Sequence, residues 1–179
     1  MADLDTRGPL IGISPIPQRV LLRLKSWLPL QAAPAAPVVV GGLVLPTTVG
    51  DSVGGALRLH CLGPAEWLMV VAPGSLGSTA TRDLEHALSL QGVAVVDASH
   101  GLAGFALLGP AARELLSMGC GVDFHPAKFP AGRCVRTRLA QVPVVIVHPD
   151  HATGYELYVA RSHADYLLDW LGDAAVVSP

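Results

Sequence analysis

The sequence predicts an α+β domain with antiparallel or mixed sheets and helices on one face. Two patterns carry this reading. Short apolar or alternating runs meet at Gly/Pro turns, as hairpins do, and three stripes of helical period interrupt them at intervals. The 179 residues suit one domain, 1–179, whose core is large enough to fold alone.

The first fifty residues read as an irregular segment packed on the domain or on a partner chain. Within it, "RVLLRLKSWLPL" (19–30) fits a strand and a short amphipathic helix equally. The following "QAAPAAPVVVGGLVLPTTVG" is rich in Pro and Gly around an apolar centre at Val38 to Val40, too apolar for a free linker. From Ala56 the signals sharpen. "ALRLHCL" turns at Gly63-Pro64 and returns as "WLMVVAP", a hairpin. "TATRDLEHALSLQG" sets Leu84, Ala87, Leu88 and Gln91 on one helical stripe ending at Gly92.

"VAVVDAS" and "AGFALLG" are two strands joined by a turn near His100-Gly101. Gly109-Pro110 opens a second helix, since proline's missing N–H costs nothing in the first turn. Its stripe is Ala112, Leu115 and Leu116, and Gly119 is expected to stop it in the left-handed conformation. Three strands follow, "GRCVRTRLA", "VPVVIVHP" and "YELYVA". The last helix starts at Ser162, with Asp165 at capping-box distance and Ala164, Leu167, Leu168 and Leu171 as its stripe.

Composition narrows the function. Charged residues make up 15% of the chain, against about a quarter in soluble domains, while apolar residues reach 51%. So little charge predicts that a partner covers part of the surface. Net charge is −2 with no basic block, which argues against nucleic acid. No apolar run is long enough to span a bilayer, and the acidic start does not match a signal peptide. Three cysteines are too few and too odd in number for a disulfide framework. A cytoplasmic protein is expected.

Chemistry-bearing residues cluster in three places. Cys120, Asp123, His125 and Cys134 include thiols, a carboxylate and an imidazole, but lack the close Cys-x2-4-Cys pair of structural zinc sites. Nor does a lone cysteine near a histidine specify an activated nucleophile. Asp97, Ser99 and His100 have the types of a hydrolase triad. Residues leaving one strand consecutively cannot place His between the other two, so a strand-end turn is expected. His148, Asp150 and His151 read as an exposed turn. Arg136 and Arg138 share a strand face and suit ion pairing on a sheet surface. Arg161, Trp67 and Trp170 are of the types enriched at interface hot spots, with a core role the alternative for the tryptophans. No catalytic, cofactor-binding or metal residue is therefore assigned.

Read together, "LGPAEWLMVVAP" (62–73), "VVDASHGLAGFALLGPAARELLSMGCGVDFHPAKFPAGRCVRTRLAQVPVVIV" (95–147) and "YELYVARSHADYLLDWL" (155–171) resemble the gamma subunits of heterotetrameric sarcosine oxidase. "GGLVLP" (41–46) fits more loosely. Ser117-Met118 stand where that family has a small residue and Lys, and the first forty residues match poorly. The family is in turn similar to one folate-binding half of the glycine-cleavage aminomethyltransferase, which implies part of that fold here. The resemblance implies a small, non-catalytic subunit that stabilises a large alpha subunit, alongside beta and delta subunits. FAD, FMN, NAD and tetrahydrofolate are then expected in the partners and none in this chain. The complex would demethylate sarcosine to glycine, with hydrogen peroxide and formaldehyde or methylene-tetrahydrofolate. An equivalent subunit of a related N-methyl amino acid dehydrogenase and a free-standing folate-binding protein remain alternatives.

Overall fold

A computed structural model describes residues 11–27, 38–75, 80–150 and 154–177. The early strands are β1 (Gly12–Pro15), β2 (Val20–Ser26), β3 (Val39–Val40), β4 (Leu43–Val44) and β5 (Ser52–Gly54). Then come β6 (Leu57–Gly63), β7 (Glu66–Val71), helix α1 (Ala80–Ser89), β8 (Val93–Asp97), β9 (Leu102–Leu108) and α2 (Ala112–Gly119). The chain ends through β10 (Arg133–Leu139), β11 (Val142–His148), β12 (Gly154–Ala160), a 3-10 turn (Arg161–His163) and α3 (Ala164–Val177). From residue 56 this is the predicted order of strands and helices.

The long strands form two five-stranded sheets, ordered β1-β9-β12-β11-β10 and β5-β6-β7-β2-β8, and every pairing is antiparallel. Alternation along each strand decides what each face meets. In β11, Val142, Val144 and Ile146 join a core with Leu115 and Leu116 of α2 and Leu167 and Leu171 of α3. The intervening Val145 and Val147 pack with Leu21, Leu68 and Val70 of the other sheet. That second sheet turns Leu22, Leu24 and Met69 outward, where Leu84 and Leu88 of α1 and the small β3–β4 hairpin cover them. The result is four layers, helix–sheet–sheet–helix, with helices on one face of each sheet. Strands buried on both faces explain why "VPVVIV" is continuously apolar.

The irregular reading of residues 1–50 gives way where the structure describes them. β1 pairs with β9 at the edge of one sheet, and β2 lies between β7 and β8 inside the other. Position alone settles the ambiguous segment as strand, since Leu22 and Leu24 are wholly buried between two partners while Arg23 and Lys25 remain exposed. The Gly41-Gly42 turn, with both φ angles positive, closes β3 on β4 and brings Val40 and Leu45 into the core. Residues 28–37, including most of the Ala/Pro stretch, lie outside the described residues.

Helix boundaries hold less well. Gly109 takes a φ of 111°, and α2 begins two residues beyond Pro110. Gly92 has the expected positive φ. Gly119 does not: it is the last helical residue, followed by extended Cys120. Its lack of a side chain serves packing instead, because a Cβ there would sit 2.5 Å from Trp170 Cη2 and 3.1 Å from Leu139 Cδ1. Ser162 does not cap α3; the chain enters through the 3-10 turn without a side-chain cap. Leu168 and Ala87 are exposed, one position off their buried stripes.

Replacing Gly119 with Ala should therefore destabilise the protein by roughly 1–3 kcal/mol through overpacking rather than backbone strain. In a Trp170→Ala background the same change should cost much less. Urea unfolding of the four-member cycle measures this; equal costs in both backgrounds would show that Trp170 is not the obstacle.

Candidate functional site

The seam between the sheets contains an ionic cluster. β6 turns Arg58 and His60 into it, β12 turns in Glu156 and Tyr158, and Arg19 reaches in just ahead of β2. Glu156 Oε1 accepts from Arg58 Nη2 at 3.1 Å and from Arg19 Nη1 at 3.3 Å, while Oε2 accepts from the Tyr158 hydroxyl at 2.6 Å. Burial pushes the Glu156 carboxyl up, but the Tyr158 hydroxyl and the two guanidiniums outweigh it and hold it below its ordinary range. The Tyr158 phenol is raised, first by burial and then by the neighbouring carboxylate. Sequence reading missed this cluster. In "ALRLHCL" and "YELYVA" the polar positions look like a solvent face, and only a second sheet turns that face into interior.

His60 is fully buried, its Nδ1 2.6 Å from the Ser52 hydroxyl. Burial, reinforced by Arg58, lowers its pKa from 6.5 to about 3, so the ring is neutral at pH 7. Its Nε2 and Arg58 Nη1 are buried with no partner among the described residues.

Asp97, Ser99 and His100 form the expected strand-end turn, but the turn joins sheets rather than a hairpin. β8 and β9 lie in different sheets, and this turn carries the chain across. Asp97 Oδ1 accepts from the Ser99 N–H at 2.8 Å. The Ser99 hydroxyl and N–H together hold the Asp97 carboxyl below its ordinary value. Ser99 Oγ accepts from Leu21 N at 3.0 Å, tying the turn to β2.

The Cys120 to Cys134 region is likewise local structure. Asp123 Oδ1 accepts from the His125 N–H, and His125 Nδ1 from the Ala127 N–H. Cys120 Sγ lies 3.7 Å from the Thr137 hydroxyl. The Cys134 thiol contacts the Asp51 and Cys61 carbonyls, and burial pushes it up to about 12, which leaves it protonated. Among the described residues no group of three or more His, Cys, Asp or Glu side chains is placed to hold a metal ion.

His148 is not in an exposed turn. It ends β11, half-buried between Phe129 and Tyr155, with ring centroids 6.3 and 4.8 Å away, and its Nδ1 is 3.1 Å from the Phe129 carbonyl. Asp150 is exposed beyond it, and His151 lies outside the described residues. Arg136 pairs with Glu66 at 2.7 Å, bridging the sheets at their rim, whereas Arg138 bonds the Gln141 carbonyl of its own hairpin. Trp67 is core, donating Nε1–H to the Pro46 carbonyl at 2.7 Å. Trp170 is half-buried against Gly119. Arg161 is exposed and donates from Nε to the His100 carbonyl at 2.8 Å.

Because His60 is buried neutral, the unfolded chain binds a proton below pH 6.5 that the folded chain refuses until about pH 3. Stability should therefore fall as pH drops through that window, with a limiting slope of about 1.4 kcal/mol per pH unit. Urea unfolding at steps from pH 7 to pH 4.5 should show this slope, and His60→Leu should flatten it. Glu156→Gln should cost roughly 3–5 kcal/mol at pH 7, since two guanidiniums then lose their counter-charge; a loss below 1 kcal/mol would mean solvent already screens the cluster.

Comparison with known proteins extends over most of the chain. The "Sarcosine oxidase, gamma subunit family" matches residues 29–177. The sarcosine oxidase subunit gamma of Arthrobacter sp is 33% identical over 149 residues, covering 82% of this chain and 71% of that one. Its namesake from Corynebacterium sp. (strain U-96) is 30% identical over 144 residues, covering 78% and 67%. Among solved structures, a chain of the heterotetrameric sarcosine oxidase from Corynebacterium sp. U-96, in complex with pyrrole 2-carboxylate, aligns with a TM-score of 0.79 at 25% identity. That alignment covers 95% of this chain and 86% of the other. Aminomethyltransferase T of the glycine cleavage system from Bartonella henselae shares the fold alone, with a TM-score of 0.62 at 17% identity. This chain, 92% of it aligned, spans 46% of that enzyme. On the family match and the identities to two gamma subunits, the chain belongs to the sarcosine oxidase gamma subunit family.

Proposed function

We propose that this chain is the gamma-type subunit of a heterotetrameric sarcosine oxidase and packs on a large alpha subunit beside beta and delta subunits. The carrying observation is the alignment, over 95% of this chain, with a chain of such a complex. The chain's own chemistry agrees with a supporting role. Glu156, braced by Tyr158, and Ser99 bond across the sheets or their crossover, and the surface leaves large apolar groups exposed. Trp27 at the end of β2, Leu90 after α1 and Val96 on the edge strand β8 are 60%, 77% and 60% exposed. Trp27 N–H bonds the Gly92 carbonyl, so these residues lie around one edge of the second sheet. A partner would remove such a patch from water, at about 25 cal/mol per Å² of apolar area. FAD, FMN, NAD and tetrahydrofolate chemistry belongs to the partner subunits in this reading. A cytoplasmic location fits it; no helix among the described residues is long and apolar enough to cross a membrane.

The test is co-expression of a tagged chain with its candidate partners, followed by size exclusion and a sarcosine-dependent peroxide assay. We expect a stoichiometric complex that oxidises sarcosine and an isolated chain that does not. Activity with N-methylglutamate but not sarcosine would move the chain to a related dehydrogenase. Sarcosine oxidation by the isolated chain, or failure to enter any complex, would overturn the subunit reading.

A further inference from the structure

Among the described residues, the ionic cluster in the seam is one anion short. Two guanidiniums, Arg19 and Arg58, share the single Glu156 carboxylate, and Tyr158 contributes a neutral hydroxyl. One positive charge is left in excess, and Arg58 Nη1 is buried without a partner among the described residues. With Arg58 buried and Arg19 largely so, an uncompensated charge here is costly and is one mark of a site completed by something else.

A cleft of about 260 Å³ opens beside the cluster. Arg19, Tyr158 and Arg161 line it, together with Gln18, Ser99 and apolar residues that include Leu102 and Phe105. Among the described residues no Asp or Glu lines it. Arg161 is held by its Nε on the His100 carbonyl, and its two Nη groups make no hydrogen bond among the described residues. Arg19 commits only Nη1 to Glu156, which it shares with Arg58, and Arg161 pairs with no acid among the described residues; their remaining fork-shaped donors suit a planar carboxylate. The cleft's volume is below the usual range for drug-sized ligands, which restricts the occupant to a small molecule.

We propose that this cleft is a binding site for a small organic carboxylate, held between the guanidiniums of Arg19 and Arg161. Occupancy would supply the missing negative charge and tie the 3-10 turn before α3 to the segment that enters β2. The assignment is independent of which complex the chain joins.

The experiment is a thermal-shift and calorimetric titration of the full-length chain, free or with the partners it purifies with. Succinate and acetate are the probes, against sodium chloride at matched ionic strength. Arg161→Gln provides the reference, since Arg161 is exposed and its loss leaves the buried cluster intact; subtracting its response removes carboxylate sites on other subunits. Expected is a saturable rise in melting temperature with a carboxylate, weakened about tenfold or more in Arg161→Gln and in Arg19→Gln. The ligand-free melting temperature of Arg161→Gln should stay near that of the parent. No saturable response beyond chloride, or equal responses in the parent and Arg161→Gln, would overturn the site.

Discussion

The structure turns on one buried carboxylate. Glu156 projects from β12 into the seam between two sheets and takes donors from both sides, Arg58 from β6 opposite and Tyr158 from its own strand, with Arg19 joining from the segment between β1 and β2. Hydrophobic contact alone would let two apolar sheet faces slide, because it is non-directional. A charged group in a low-dielectric seam tolerates few arrangements, since any displacement leaves ions without partners. Leu21, Val70, Val145 and Val147 supply the apolar packing around it, and the Arg136–Glu66 pair links the same two sheets at the rim.

The N-terminal segment strengthens this arrangement. Its two strands go to different sheets, so residues 12–26 form a short tie between them, and the Ser99 hydroxyl on the return crossover bonds the backbone of β2. Two separate crossings thus converge near Arg19, which connects how the sheets are joined with the clefts that open there. On the outer face, α2 and α3 approach closely because Gly119 leaves room for Trp170. With helices covering one face of each sheet and the seam closing the other, much of the remaining apolar exposure falls on edges and helix ends such as Trp27, Val96 and Val176. A family member that works inside a larger assembly can carry such edges where a solitary protein would aggregate.

Much of this was legible in the sequence, for local reasons. Alternation, Gly/Pro turns and the 3.6-residue stripe gave every element after Ala56 in its correct order, because those signals depend on near neighbours. The Asp97–Ser99 turn was readable as a backbone-bonding segment and Cys120 to His125 as a loop after a helix, since short polar side chains act within two or three residues of themselves. Ordered motifs from Leu62 to Leu171 also carried the family resemblance.

Other features depended on partners remote in sequence. Val20–Ser26 becomes a strand because β7 and β8 bracket it; its own residues fit a helix as well. Gly119 is glycine because an indole fifty-one positions later needs its space, not because the backbone turns left-handed there. Arg58, Glu156 and Tyr158 look like solvent-facing residues of half-buried strands until a second sheet covers them, and burial alone converts them from ordinary surface polar groups into a coupled ionic cluster. Sequence determined the elements and the family, since both are written in local pattern. Tertiary structure decided which strand faces meet, and therefore where charge is buried, because burial belongs to the packed sheets and to no single segment.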